Sequence, residues 1–513
     1  MTHDVCGSLR CIHEPFERRL RQAPQQVFVL TQEGLLTFAD LDAWAVSLAR
    51  EMRDRGVRAG DRVLIVAENC PQHISLIIAC SRLGAWSCGV NARMAPGEID
   101  AFVAKADARL VYFTEVVPGA AAQHARRLGA TASAVQGLSL SATRSEATVQ
   151  PPPAQGEVAA IIFTSGTTGE PKGVPLTHAG LLHYAQLAVQ ERAMTARDRV
   201  HAYLPMTHIF GLGAVLMASL MAGSTLVMRS RFDPADVFDA LAQHGVSMLQ
   251  GPAAMFTRLL AWLDTQGVDR PSCPDLRYLY AGAAPLDLTQ KRAVERRLGL
   301  PLFHGYGMSE YAGGATMVRL GAPRDDVSSG PVLAGAELRI VDTDNQDLPQ
   351  GEAGEIWLRG IGLMPGYFRD PQATAEVMRP GGWYASGDIG RLDADGALFV
   401  VGRLKEMIVR SGFNVYPGEV EAVLSRHPAI RSAAVVGRRC ADGNEEVLAF
   451  VECSGAVPFD AQELSAYLAR QLAPYKLPSH ITVVDALPTT LSGKVLKRML
   501  LLPPLEQGGA ATA

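Results

Sequence analysis

The sequence predicts an α/β fold: a large N-terminal body of parallel-rich α/β subdomains with a small β region, followed by a small α+β C-terminal domain. Three observations predict it. Arg62–Ala67 (RVLIVA), Trp86–Val90 and Arg109–Phe113 are apolar, strand-length runs separated by helix-sized segments. That alternation suits crossover units and a parallel sheet buried on both faces. Between Glu337 and Val401 the segments shorten and turn pairs such as Asp395-Gly396 appear, which points to a mainly antiparallel region. From about residue 405 the order becomes strand, helix, strand, strand, helix, strand, in a span of about 100 residues that is long enough for a small domain.

The elements follow in order. Met1–Leu20 scatters Asp4, Arg10, Glu14 and Arg18 where a secretory signal needs an apolar run, so no signal is expected. Ile74, Leu76, Ile77, Ile78 and Ser81 fall in the first crossover helix, and Gly97–Ala106 supplies the second. Residues 114–157 are rich in Ala, Ser, Gln and Pro, end in Pro151-Pro152-Pro153, and are expected to form a surface excursion. Val158 opens a second α/β region that runs to about residue 320. Within it, Ile209–Met228 carries no charged side chain. Its length alone would allow a membrane span of about 20 residues, but Gly211, Gly213, Gly223 and Ser224 interrupt it. A buried helix followed by the strand Thr225-Leu226-Val227 is predicted instead. In the tail, Pro417 suits the first turn of a helix reaching His427, with Glu419 and Glu421 at its positive end. Strand Glu446–Glu452, helix Asp460–Leu472 and strand Ile481–Val484 complete the unit, and Gln507–Ala513 should fray. The expected units are therefore 1–404, 405–506 and a tail at 507–513.

Composition narrows the function classes. Of 513 residues, 48% are hydrophobic and 19% charged, which suits a compact soluble protein. Lys+Arg 48 against Asp+Glu 52 leaves a formal charge of -4, too even a balance for a broad nucleic-acid or anionic-lipid surface. The eight cysteines contain no C-x-x-C pair, which removes a zinc ribbon and a thioredoxin-type dithiol. Thiols this sparse suit a reduced, cytoplasmic setting.

The most informative stretch is Thr164-Ser165-Gly166-Thr167-Thr168-Gly169-Glu170-Pro171-Lys172-Gly173, directly after the apolar run Val158–Phe163. Hydroxyls and glycine amides at this density offer many donors and little bulk, suited to a polyphosphate, with Lys172 as a point charge. A polar surface turn is the plain competing reading for any isolated Gly/Thr cluster. A Walker A loop requires G-x-x-x-x-G-K-[ST], whereas Gly173 follows Lys172 and no hydroxyl is present for the metal.

These residues resemble the signature phosphate loop of the adenylate-forming (ANL) superfamily: acyl-CoA synthetases, adenylation domains of peptide synthetases, and beetle luciferase. Further segments continue the resemblance in family order over nearly the whole chain. They are Leu204-Pro205-Met206-Thr207-His208, Ala281-Gly282-Ala283-Ala284-Pro285-Leu286 and Gly305-Tyr306-Gly307-Met308-Ser309-Glu310, then Gly354–Gly360 and Trp383–Asp388, and last Gly402-Arg403-Leu404-Lys405-Glu406 and Leu491-Ser492-Gly493-Lys494. Each is weak alone; the ordered series is specific. The resemblance implies an AMP-binding adenylation domain over 1–404 and a mobile C-terminal domain over 405–506 that turns about Lys405.

The implied reaction joins a carboxylate to the α-phosphate of ATP, expels pyrophosphate, and hands the acyl group to a thiol. Because the two anions repel, the site must supply positive charge and hold the reactants in line. By resemblance, Thr164, Ser165, Gly166, Thr167, Thr168, Gly169 and Lys172 cradle the phosphates. Glu310 resembles the Mg2+ residue, with Thr168 a second candidate, and Ser309 stands where threonine is more frequent. Tyr306, flanked by Gly305, Gly307 and Met308, would offer its ring to adenine beside Gly282, Ala283 and Ala284. Asp388 and Arg403 would hold the ribose. Lys494 resembles the lysine that bridges the substrate carboxylate and α-phosphate, and Ser411 and Gly412 belong to the loop presented to the thiol after the tail rotates. His208 lies at the mouth of the implied acyl pocket, as a gate more than a general base.

The acid is expected to be uncharged beyond its carboxylate, because His208-Ile209-Phe210-Gly211-Leu212-Gly213 lacks the carboxylate that would hold an amino acid's amine. Gly211, Gly213, Gly282, Gly305, Gly313 and Gly314 are expected to leave room in the pocket, for a fatty or an aromatic acid. A dicarboxylic acid would need an arginine such as Arg258. ATP, Mg2+ and coenzyme A are the implied cofactors and substrates, with no nucleic-acid partner and no integral membrane span; a homodimer is left open. The alternatives are an acyl-AMP ligase loading a carrier protein, and a non-catalytic nucleotide-binding relative, against which the presence of Lys494 argues.

Overall fold

The structure, a computed structural model, describes residues 9–116, 119–141, 158–165, 171–410, 413–440, 444–455, 457–489 and 495–500. Two large sheets form the body. One has seven strands in the order Thr131–Ala132, Leu138–Leu140, Leu110–Thr114, Arg62–Ala67, Trp86–Asn91, Val158–Ser165, Pro171–Thr177. Its middle four are parallel and its edges antiparallel. The other has eight strands, with Gly313–Met317 and Leu35–Thr37 at its antiparallel edges and six parallel strands between them. The parallel-rich body predicted from alternation is present.

Sheet membership departs from chain order in two places. Val158–Ser165 does not open the second sheet; it pairs with Trp86–Asn91 in the first. The early strand Val27–Leu30 crosses to the second sheet and pairs parallel with Thr225–Met228. Pairing between such distant segments leaves no local pattern to read. A third departure concerns residues 114–157. Part of the expected excursion is packed: Ala120–Arg127 is a helix, and Leu138 and Leu140 on a three-residue strand are buried in the core beside Tyr112. Residues 142–157 lie outside the described residues.

Helices tie the sheets together. Pro71–Arg82 is buried from Pro71 through Ser81, as expected of a helix apolar on every face. Its Ile74, Ile77 and Ile78 share one core with Leu181 and Leu182 of helix His178–Glu191, with Ala160 and Ile162 of the first sheet, and with Leu226 and Leu249 of the second. Each such side chain contributes about 1.5–3 kcal/mol on leaving water. The uncharged stretch that begins at Ile209 is a π-helix over Phe210–Met217 that runs into an α-helix over Ala218–Ala222, capped by Gly223 at φ +75° and followed by strand Thr225–Met228. No helix among the described residues is long and apolar enough to cross a membrane.

Downstream, Ala336–Val341, Gly354–Gly360, Met378–Arg379, Trp383–Leu392 and Leu398–Arg403 form a five-stranded antiparallel sheet, as the shortened segments predict. The tail has its own three-stranded sheet, with Ile430–Arg439 antiparallel to Glu445–Cys453 and His480–Val483 parallel to it. Helices Pro417–Leu424 and Ala461–Gln471 bury Val420, Leu424, Leu464 and Leu468 against that sheet in a separate core.

Candidate active site

The expected phosphate segment sits on a β-hairpin. Val158–Ser165 and Pro171–Thr177 pair antiparallel, with Thr164 opposite Lys172 and Ser165 opposite Pro171. Gly166, Thr167, Thr168 and Gly169 lie outside the described residues. The Lys172 ammonium stands 4.7 Å from the centre of the Tyr367 ring, a cation–π contact.

Glu310 lies across from that ring. It ends the segment after strand Leu302–Met308, in the one-turn helix Ser309–Tyr311, which is closed by Ala312 at φ +49°. The Tyr367 hydroxyl donates to Glu310 Oε1 at 3.1 Å and lies 3.5 Å from the Tyr384 hydroxyl. Burial pushes the Glu310 carboxyl pKa up, against the hydrogen bonds from its own backbone and from Tyr367. A carboxylate held short of water in this way gains from a divalent cation, which fits Mg2+ with one protein carboxylate and phosphate oxygens as its other ligands. Among the described residues no group of three or more His, Cys, Asp or Glu could form a self-sufficient metal cage.

Tyr306, Asp388 and Arg403 meet as a unit. Asp388, on strand Trp383–Leu392, accepts from the Tyr306 hydroxyl at 2.8 Å and pairs with Arg403 Nε at 3.1 Å. Strand register puts Asp388 opposite Arg403. Tyr306 packs with Ile356, Leu358 and Leu398 and keeps 9% exposure. In the 281–286 turn, Ala283 adopts φ +63° while exposed, a left-handed conformation that costs a non-glycine residue roughly 1 kcal/mol or more. The Ala284 carbonyl meets His304 Nε2 at 3.3 Å.

His208 is fixed by its own loop. The Asn69 side chain clamps that loop, accepting from the Met206 N–H at 3.0 Å and donating to the Leu204 carbonyl at 2.8 Å. His208 Nδ1 then accepts from the Phe210 N–H at 3.2 Å, so the neutral ring carries its proton on Nε2. Burial lowers its pKa to about 4. The ring therefore presents a donor, not a base.

The sequence assigns Tyr306, Asp388 and Arg403 to the nucleoside, and Lys172 and Glu310 to the phosphates and their metal; the coordinates bring the first three into contact with one another and place Lys172 and Glu310 against the same Tyr367. It missed Asn69, Tyr367 and Tyr384. A Pro-Gly-Tyr-Phe run before Arg369-Asp370 was the available signal for Tyr367. Lys494, Ser411 and Gly412 lie outside the described residues. Their surroundings are partly described: Thr489 and Val495 form an antiparallel bridge flanking residues 490–494. Lys497 is ion-paired at 2.8 Å with both Glu406 and Glu421.

A profile of AMP-binding enzymes matches residues 16–368, and one of the AMP-binding enzyme C-terminal domain matches 419–494. The chain belongs to the AMP-binding enzyme family. It is 34% identical over 487 residues to a feruloyl-CoA synthase from Amycolatopsis sp, covering 94% of this chain and 96% of that protein. A sulfoacetate–CoA ligase from Cupriavidus necator is 32% identical, with the same shares covered. Among solved structures, ATP-bound MatB from Rhodopseudomonas palustris superposes with a TM-score of 0.82 at 27% identity, covering 95% of this chain and 98% of that one. The family member described here is an AMP-forming acid–thiol ligase: it activates a carboxylic acid with ATP to an acyl adenylate and transfers the acyl group to coenzyme A.

Proposed function

We propose that the acid is aromatic and that the chemistry runs through the residues named from the sequence. The carrying observation is a cluster of aromatic rings around the motif segments, beginning with Phe210 two residues after His208. Phe210 and Tyr280 meet edge-on with centroids 5.9 Å apart, and Tyr184 stands against Gly213. Feruloyl- and sulfoacetate-named relatives are about equally similar, so identity does not choose the acid, and an aromatic wall favours an aromatic ring. This reading drops the fatty-acid alternative.

In the first half-reaction, a carboxylate oxygen forms a bond to the α-phosphorus while the bond to the bridging oxygen breaks and pyrophosphate leaves. Thr164, Ser165, Gly166, Thr167, Thr168, Gly169 and Lys172 hold the departing phosphates. Tyr306 and the Gly282–Ala284 segment seat the adenine, with Asp388 and Arg403 on the ribose hydroxyls. Glu310, with Thr168, would hold Mg2+, which supplies charge neutralisation on the phosphate oxygens. Lys494 places its ammonium between the two reacting anions. Residues 405–506 then turn about Lys405, withdrawing Lys494 and bringing Ser411 and Gly412 to the thiol path. In the second half-reaction the thiolate attacks the acyl carbon and AMP leaves. The free state of the cysteines, seven among the described residues, supports a cytoplasmic setting.

The deciding experiment is carboxylate-dependent ATP–pyrophosphate exchange over a panel of aromatic and straight-chain acids, followed by thioester formation with CoA. Exchange with aromatic acids is expected. A protein that exchanges with straight-chain acids alone overturns the choice of acid, and one that exchanges with none overturns the residue assignments.

His208 yields a pH prediction. With a pKa near 4, only about one ring in a hundred is charged at pH 6, two units higher. The profile of kcat/KM should therefore show no inflection from His208 between pH 5.5 and 8. His208→Gln, which retains a side-chain donor, should stay within about tenfold of wild type, whereas His208→Ala should fall by roughly 10–100-fold. An inflection near pH 6.5 that disappears in His208→Gln would return the residue to general-base duty.

A further inference from the structure

The glycines expected to leave room for substrate are already filled by protein. A Cβ at Gly213 would stand 3.2 Å from the Tyr184 ring and one at Gly314 2.8 Å from it, and one at Gly313 would overlap it. At Gly305 a Cβ would overlap the Tyr280 hydroxyl, and at Gly282 it would lie 2.9 Å from the Tyr280 ring and 3.3 Å from Phe210. At Gly211 it would meet the Pro205 carbonyl. Apart from Gly211, the space these glycines vacate is therefore taken by Tyr184, Tyr280 and Phe210.

Both tyrosines are set by one arginine. Arg192 follows helix His178–Glu191 and is 0% exposed. Its Nη1 donates to the Ala214 carbonyl at 3.0 Å and to Gln250 Oε1 at 2.9 Å, and its Nη2 to the Tyr184 hydroxyl at 3.3 Å. The guanidinium carbon lies 4.9 Å from the centre of the Tyr280 ring. Its Nε–H is buried without an acceptor, and no carboxylate pairs with it among the described residues. A buried cation is ordinarily matched by an acid. Here its charge falls on three phenols: the Tyr184 hydroxyl, the Tyr280 ring and, at 5.9 Å, the Tyr278 ring. Tyr184, accepting from a cation, has its own polarised O–H to donate.

We propose that Tyr184, set by Arg192, closes the far end of the acyl site and reads the acid's distal group. The site then takes a compact, single-ring acid bearing a hydrogen-bond-accepting oxygen opposite its carboxyl-bearing side chain, and refuses long alkyl chains. This rests on the acyl-adenylation reading above. Tyr184 lines a small cavity together with His183, Leu187, Tyr311 and Leu333, so removing its ring would enlarge the space at that end of the proposed site. Arg258, the arginine expected to reach a distal acid, is exposed and lies 4.6 Å from the Phe232 ring centre; Arg192 is the buried candidate.

The test measures kcat/KM for pyrophosphate release with four probes: an aryl acid with a para-hydroxyl, its deoxy analogue, the analogue with a para-carboxylate, and octanoate. Wild type should prefer an oxygen-bearing acid over the deoxy acid by about tenfold or more, and the two oxygenated probes separate a phenol from an anion as the preferred group. Tyr184→Phe, which keeps the ring, should bring that ratio to within about threefold. Tyr184→Ala should raise octanoate relative to the deoxy aryl acid by about tenfold. A wild type with no preference for oxygen, or ratios unmoved in Tyr184→Phe, overturns the proposal, and Tyr184→Phe alone decides if the alanine variant fails to fold. Wild type inert toward every acid instead overturns the underlying reading of the site.

Discussion

Lys494→Ala should lower carboxylate-dependent ATP–pyrophosphate exchange by on the order of 10³-fold, the scale for losing one preorganised charge at a reacting centre. Thioester formation from synthetic acyl-AMP and CoA should stay within about tenfold of wild type. The split follows from where the lysine is carried. It ends the stretch matched by the C-terminal family profile, between Thr489 and Val495, which bridge to each other. The described residues around it have their own core of Val420, Leu424, Val447 and Leu464, and the proposed rotation would carry that core as a body. Two residues beyond the bridge, Lys497 is half-buried between Glu406 and Glu421. Burial opposes its charge, and the two carboxylates outweigh that effect and raise its pKa. Of the two lysines, Lys497 is thus tied to Glu406 of the turn at Leu404–Glu406 and to Glu421, and the proposal assigns the chemical role to Lys494. Measuring the two half-reactions separately checks this; equal loss in both would mean that the tail does not exchange positions between them.

The phosphate segment, the loop bearing His208, the 281–286 turn and the Tyr306-to-Glu310 run stood out because each is a contiguous string in which glycines and hydroxyls are denser than an ordinary helix or strand carries. Side chains that hold those strings in place were not. Asn69 follows a strand and reads as an ordinary strand-end amide, yet it clamps the His208 loop from 137 residues away. Tyr184 and Tyr280 sit at helical and strand spacing inside apolar runs, where an aromatic residue looks like core. Arg192 ends a helix, the position where an arginine usually does nothing more than face the helix dipole; in the fold it is fully buried. The glycines misled for the same reason. A missing side chain shows that something comes close, but only the fold shows whether that something is substrate or a neighbouring tyrosine. Strand order was lost where pairing joins Val27–Leu30 to Thr225–Met228, a contact with no local trace.

Glu310→Gln offers the second large effect, because it separates a carboxylate kept for charge from one kept for structure. Glutamine preserves the shape and the acceptor for the Tyr367 hydroxyl and removes only the negative charge. If Glu310 serves to hold Mg2+ against the phosphates, pyrophosphate release should fall by roughly 10²–10³-fold, and the dependence on free Mg2+ should weaken. Stability should move the other way. Burial raises the Glu310 pKa in the folded protein, so the folded state binds its proton more tightly than the unfolded chain does. The stability this group lends is whole below the unfolded pKa and is lost as pH rises through the folded one. At pH 7 without metal the ionised carboxylate is therefore a net cost that glutamine removes. The variant should melt on the order of 1–3 °C above wild type in EDTA at pH 7, with the gap closing near pH 4. Saturating Mg2+ and ATP should reverse the order, since only the wild type gains from the ion. A variant that melts lower in EDTA at pH 7 would show the carboxylate to be a structural partner of Tyr367 and Tyr384, and the ion would then have to be held by Thr168 and the phosphates alone.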